Sequence, residues 1–244
     1  MTPRVRCEHC FQTPSRSDSQ IEVKRFFGAA VGRQAETMLV KICGITNLED
    51  AQAAVAAGAD ILGFNFFRGS SRYIAPQTAR AITAELSPNS ILAVGVFVNE
   101  TSPEVVEEIA HQAGVSVLQL HGDESPAYCR ALSHRRVIKV LRVTPDFVPE
   151  RALDYEVESI LLDAFDKDLR GGTGQTIDWT IARQTREIVP RLFLAGGLSP
   201  DNVAGAIAAV APYAVDACSA LETAPGKKDA ERMRAFVRAA RVPG

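Results

Sequence analysis

Eight short apolar runs, each followed by a loop and a helix-like stretch, constrain this chain more than any single motif. They are Leu39–Cys43, Ile61–Phe66, Ile91–Val98, Val115–Leu120, Val137–Leu141, Ile160–Asp163, Leu192–Ala195 and Ala214–Cys218. Their length and branched side chains suit strands buried on both faces. The segments between them carry helix signals. Asn47 stands where an N-cap belongs ahead of Leu48–Ala57. Pro76, Pro103 and Pro126 occupy first-turn positions for Gln77–Leu86, Pro103–Gln112 and Pro126–Leu132. Further helices are predicted over Phe147–Leu153, Trp179–Val189, Asp201–Val210 and Ala230–Ala240. Strands that alternate with helices imply a parallel sheet, and eight such units close into a (β/α)8 TIM barrel of the α/β class. The competitor is a doubly wound open sheet. It usually has fewer strands and a glycine-rich first turn, whereas the first turn here is Cys43-Gly44-Ile45-Thr46.

The pattern covers residues 38–244 and leaves out residues 1–37. That segment holds Pro3, Pro14, a Ser/Arg/Gln-rich run from Gln12 to Gln20, and one aperiodic apolar patch, Phe26 to Val31. It is expected to be a disordered extension, or translated sequence upstream of the real start, because Met38 directly precedes the first strand. Glu8, Asp18, Glu22 and Glu36 spoil the acid-poor signature of a transit peptide. A net charge of −2 supplies no basic field for nucleic acid. No apolar run is long enough to span a bilayer. The five cysteines are odd in number, irregular in spacing and not preceded by a signal peptide, so a reducing cytoplasm is the expected compartment.

In a parallel barrel the reactive groups belong at the C-terminal strand ends. Cys43 ends the first strand, Gln119 and His121 the fourth, Asp163 the sixth, and Asp216 and Ser219 the eighth. A thiol, an imidazole and two carboxylates would thus converge on the mouth. Glycines follow the late strands: Gly171-Gly172-Thr173-Gly174, then Gly196-Gly197, with Ser219-Ala220 after the last strand. Glycine lets backbone N–H groups approach an anion closely, and barrels of this kind hold phosphate on the loops after strands 7 and 8. The ligand is therefore expected to be a small phosphorylated molecule.

These residues resemble the phosphoribosylanthranilate isomerase family from Leu39 to about Arg241. The resemblance is carried by an ordered set of motifs. They are Val40-Lys41-Ile42-Cys43-Gly44-Ile45-Thr46, Ser71-Arg72-Tyr73, Gln119-Leu120-His121-Gly122, Leu162-Asp163, Ala195-Gly196-Gly197-Leu198, and Val215-Asp216 with Glu222 and Pro225-Gly226-Lys227-Lys228-Asp229. The resemblance implies an Amadori rearrangement with Cys43 as general base and Asp163 as general acid. It implies phosphate binding by Gly172, Thr173, Gly174, Gly196, Gly197, Ser219 and Ala220. Arg72, His121 and Asp216 are implied to lie near the anthranilate and ribose; on chemical grounds Arg72 suits the anthranilate carboxylate and Asp216 is expected to orient Arg72 or the amine. No cofactor and no metal are implied, and the enzyme is expected to be a monomer or homodimer. The chain departs from the family in three places, one of them the loop Arg68-Gly69-Ser70-Ser71, which lacks the common prolines and lysine. Cys218-Ser219-Ala220 replaces Ser-Ser-Gly, where alanine would hinder a positive φ, and Asn65 replaces the valine usual in strand 2.

Other readings of the same residues stand beside these. Cys43 could be a packing residue, and Cys129 and Cys218 are expected to be structural. Cys7-Glu8-His9-Cys10 looks like half a zinc site without a second ligand pair. His121 could cap its loop. Lys41 and Lys139 could be Schiff-base lysines of an aldolase, with Lys139 the candidate nucleophile, or could pair with inward carboxylates. Asp178-Trp179 could only cap and anchor a helix.

Overall fold

A computed structural model describes residues 38–86, 91–164 and 178–242, all within the unit Thr37–Gly244. Gly172–Gly174 and the Cys7–Cys10 motif lie outside the described residues. Among the described residues, eight parallel strands close in chain order, β1 to β8, and β8 pairs back onto β1. They are β1 (Leu39–Cys43), β2 (Ile61–Asn65), β3 (Leu92–Phe97), β4 (Val117–Leu120), β5 (Arg136–Val143), β6 (Ser159–Ala164), β7 (Leu192–Leu194) and β8 (Ala214–Ala217). The (β/α)8 barrel expected from the alternation is the observed fold.

Alternation along each strand divides the apolar residues between two cores. Ile61, Val94, Val117, Ile138, Leu161 and Phe193 fill the barrel interior. The residues between them face outward against the helices, as Ile42, Leu62, Leu118 and Leu162 do. This is why the strands read as continuous greasy runs.

The helices start where their chemistry says. In α1 (Leu48–Ala57), Asn47 accepts the backbone N–H of Asp50 at 2.8 Å. Proline occupies the first turn of α2 (Pro76–Glu85), α3 (Pro103–Ala113) and α4 (Pro126–Ala131). Asp178 caps α5 (Trp179–Ile188) by accepting from Thr180 N, as the capping reading of Asp178-Trp179 has it. Two further helices follow, α6 (Val203–Val210) and α7 (Ala230–Ala240). The helix predicted over Phe147–Leu153 is instead a 3-10 turn, Pro149–Asp154. Val148 and Leu153 are exposed there, so the segment offers no apolar stripe that would stabilise a full helix against the barrel. A small antiparallel hairpin, β9 (Glu222–Ala224) with β10 (Lys227–Lys228), follows β8 and was not foreseen.

Candidate active site

Cys43, Arg72, His121, Asp163 and Asp216 all line one open recess at the C-terminal strand ends. Gly196, Gly197 and Ser219 form part of the same lining. Each strand end reaches the recess because the preceding apolar run anchors it in the two cores.

The floor is an ion pair inside the barrel. Lys41 is completely buried, and its Nζ donates to Asp216 Oδ2 at 2.7 Å. Burial works against the ammonium, but Asp216 and Cys43 outweigh it, so Lys41 is held protonated. Burial pushes Asp216 up to about 7, with negative charge from Cys43 and Asp163 adding to the effect against the pull of Lys41. The cation is the firm member because it faces two acids, while the carboxylate faces two anions. Asp216 Oδ1 is buried with no hydrogen-bond partner among the described residues.

Cys43 stands one layer above this pair on the same face of β1. Its thiol is held well below the ordinary value by hydrogen bonding with Cys218 and by the positive charge of Lys41 and Lys228, against the opposing effect of burial. The packing reading of Cys43 does not describe this environment. Cys218, expected to be structural, lines the recess beside it. Cys129 is fully buried, and burial pushes its thiol up to about 11.

On the β4 and β6 walls, three polar groups form a chain. Gln119 Nε2 lies 3.0 Å from His121 Nδ1, and His121 Nε2 lies 3.2 Å from Asp163 Oδ2. With Gln119 donating, the imidazole proton sits on Nε2 and points at Asp163; this tautomer follows from the network. His121 thus does more than cap its loop.

Arg72 is held by Glu222 and not by Asp216. Its Nε and Nη2 donate to the Glu222 carboxylate at 2.9 and 2.7 Å, and Lys228 Nζ donates to the same group at 2.8 Å. The expectation that Asp216 orients Arg72 fails because strand register sets Asp216 opposite Lys41. Arg72 leaves β2 on a loop organised by Asn65. The Asn65 side chain accepts from Phe67 N and donates to Ser70 Oγ, and that hydroxyl accepts from Arg72 N. A valine at 65 could make none of these bonds.

The late loops are shaped for close backbone approach. Gly196 and Gly197 have φ of 79° and 67°. Asn202 ties this loop down, donating to Gly197 O and accepting from Ser199 N. Ala220 sits in a 3-10 turn, Ser219–Leu221, and is absent from the residues with positive φ, so the strain expected of an alanine there does not arise.

Lys139 does not line this recess. It points outward from β5, where its Nζ donates to Glu124 Oε2 at 2.6 Å and to Gly122 O at 2.8 Å. Glu222 and Lys228 carried no role in the sequence reading beyond their motif, and no local pattern marks them. No described helix is long and apolar enough to cross a membrane.

Comparison with known proteins adds a family. The family described as PRAI, N-(5'phosphoribosyl)anthranilate (PRA) isomerase, matches residues 40–239. The N-(5'-phosphoribosyl)anthranilate isomerase of Trichlorobacter lovleyi is 48% identical over 202 residues, covering 83% of this chain and 97% of that relative. A crystal structure of monomers generated from the dimeric phosphoribosylanthranilate isomerase of Thermotoga maritima superposes with a TM-score of 0.74 at 43% identity, covering 83% of this chain and 98% of that one. A phosphoribosyl anthranilate isomerase in complex with reduced 1-(o-carboxyphenylamino)-1-deoxyribulose 5-phosphate also superposes with a TM-score of 0.74, at 43% identity and the same coverage.

Proposed function

The chain belongs to the N-(5'-phosphoribosyl)anthranilate isomerase family, and from that premise we propose that Cys43 and Asp163 carry the two proton transfers of its reaction. The enzyme is an isomerase. It converts N-(5-phosphoribosyl)anthranilate to 1-(2-carboxyphenylamino)-1-deoxyribulose 5-phosphate in tryptophan biosynthesis, an Amadori rearrangement.

The reaction needs an acid to protonate the ring oxygen, so that the furanose opens to a Schiff base. It then needs a base to take the proton from C2. The anthranilate nitrogen acts as the electron sink. The observation that carries the assignment of the base is the place of Cys43, which lines the recess at the end of β1 one layer above the buried Lys41, and that lysine helps hold its thiol well below the ordinary value. A thiolate at working pH needs no further activation to take a carbon-bound proton.

Asp163 serves as the acid through its chain to Gln119. The chain admits two proton arrangements. In one, Gln119 donates to His121 Nδ1 and the imidazole donates to the Asp163 carboxylate. In the other, the Gln119 amide is turned, its oxygen accepts from Nδ1–H, and Nε2 accepts from a protonated Asp163. Gln119 Oε1 is buried with no hydrogen-bond partner among the described residues in the first arrangement.

Arg72 binds the anthranilate carboxylate with the end of its fork. Glu222 occupies the Nε/Nη2 edge, which leaves the Nη1/Nη2 edge for a second carboxylate. Asp216, with one free oxygen, faces the amine and ribose. The phosphate rests on the N–H groups of Gly196, Gly197, Ser219 and Ala220, joined by Gly172, Thr173 and Gly174. Residues 38–244 form the catalytic unit, working in the cytoplasm as a monomer or homodimer on this small phosphorylated substrate. The free thiols Cys43, Cys129 and Cys218 support a reducing compartment.

The test is loss of anthranilate fluorescence as the substrate becomes the ketose. Cys43→Ala and Asp163→Asn should each slow turnover by roughly 10²- to 10⁴-fold, the usual contribution of a general acid or base. Unchanged turnover in either variant overturns that residue's role.

A further inference from the structure

Cys43 ends β1 and Cys218 directly follows the neighbouring β8, at matched heights. β1 and β8 run in register with Lys41 opposite Asp216 and Ile42 opposite Ala217, so the next step brings Cys43 opposite Cys218. Adjacent strands lie about 4.8 Å apart, inside the roughly 4.4–6.8 Å between Cα atoms that a disulfide spans. Orientation also matches. Lys41 and Asp216 meet at 2.7 Å inside the barrel, and the period of two repeats that inward direction at Cys43 and Cys218. A methyl group placed on Gly44 would lie 2.9 Å from Cys218 Sγ, so that sulfur is folded back over the end of β1. Both thiols are free and half-buried, and both line the recess through which substrate must enter.

We infer that Cys43 and Cys218 form a dithiol site that a small-molecule disulfide oxidises to an intramolecular disulfide, reversibly closing the active site.

The chemistry runs by thiol–disulfide exchange. The Cys43 thiolate attacks one sulfur of the reagent RSSR; a Cys43–SR bond forms, the S–S bond breaks, and RS⁻ leaves and takes up a proton. Cys218 then loses its proton to solvent and attacks the Cys43 sulfur. The Cys43–Cys218 bond forms, the Cys43–SR bond breaks, and a second RS⁻ leaves. Two protein thiols are oxidised by two electrons and RSSR is reduced to two RSH.

The surroundings favour each step. Cys43 is the more acidic of the two, and Cys218 keeps its proton because it hydrogen-bonds Cys43 and is buried. Once Cys43 is capped, its negative charge is gone and the first of those causes with it. Lys228 Nζ, 3.6 Å from the Cys218 sulfur, then favours the second thiolate.

The bond itself depends only on geometry. The loss of activity rests on the reading of Cys43 as the base.

The full chain is treated with bis(2-hydroxyethyl) disulfide, then mapped as unreduced peptides by mass spectrometry, with isomerase activity followed before and after dithiothreitol. A peptide pair linked through Cys43 and Cys218 is expected, with activity lost and then regained. In Cys218→Ser, a stable mixed disulfide on Cys43 is expected instead. If that variant does not fold, the map of the unmodified chain still decides. The inference is overturned if the unmodified chain stops at a mixed disulfide on Cys43, or if Cys43 and Cys218 remain free while other cysteines react. If the linked pair forms and activity survives, the dithiol site stands and the role of Cys43 as base falls. If no link forms and Cys43→Ala is inactive, the base stands and the dithiol site falls.

Discussion

Arg72 and Glu222, 150 positions apart in the chain, meet through a fork in which two guanidinium nitrogens donate to one carboxylate. Glu222 is itself buried and also takes Lys228. Such charge-assisted, two-point contacts fix direction as well as distance. Glu222→Gln keeps the shape and removes the charge. We expect KM to rise by about 10-fold or more, the equivalent of one hydrogen bond to a charged group, with a smaller fall in kcat. A steady-state comparison by the fluorescence assay checks this. A fall in kcat alone would show that Arg72 acts on the reacting centre and not on the carboxylate.

Lys139 and Glu124 pair on the outer face of β5, both nearly inaccessible. Lys139→Met leaves Glu124 buried without its cation and should destabilise the fold by about 3–5 kcal/mol. The loss is read as a lower denaturation midpoint in urea. Borohydride with a phosphosugar should leave no adduct on Lys139 of the parent chain, since the ammonium faces away from the mouth.

Much of the barrel was legible because burial on both faces writes a strand as an unbroken apolar run, and the polar residue that ends the run is then placed by the fold. Cys43, His121 and Asp163 were found in this way. The partners were not. Arg72 meets Glu222, and Lys41 meets Asp216 at a separation of 175 residues, through strand register and a hairpin that no local period announces. Cys218 read as structural because a lone cysteine carries no pattern; its role as a neighbour of Cys43 appears only when β8 closes onto β1. The missing helix after β5 misled for a different reason, since Phe147 and Ala152 are buried but Val148 and Leu153 face solvent.

Asp216 gives a stability signature with a defined sign. Its folded pKa, raised by burial to about 7 from an ordinary 3.8, means that between these values the folded chain holds a proton that the unfolded chain has released. Stability from this group is therefore full below the lower value and falls as pH rises through the upper one. Asp216→Asn cannot titrate. Relative to that variant, the parent should lose stability from about pH 4 to about pH 7 and then level off. Urea unfolding across this range checks it. A parent that gains on the variant instead would show that Lys41 holds Asp216 below 3.8.

Removal of residues 1–37 should leave the isomerase intact, because the family match begins at residue 40 and β1 at Leu39. A chain starting at Met38 is expected to keep kcat/KM within about 2-fold, the scatter expected of remote changes. A large loss would give the extension a part in the barrel.

Gly44 is the point where backbone shape and site chemistry depend on each other. It follows Cys43, the proposed base, directly and has a φ of 77°, which side-chain-bearing residues adopt at a penalty of about 1–2 kcal/mol. The space a Cβ would need is taken, with Arg72 Cδ and Cys218 Sγ each 2.9 Å away. Gly44→Ala must therefore either push Arg72 off Glu222 or shift the end of β1 that carries Cys43. Both moves disturb the substrate's position more than the fold. We expect a modest fall in the urea midpoint and a fall in kcat/KM of at least about 10-fold, one decade for each 1.4 kcal/mol of lost transition-state stabilisation. If kcat/KM follows the parent while stability alone declines, the Arg72 and Cys43 positions are more tolerant than their packing against Gly44 implies.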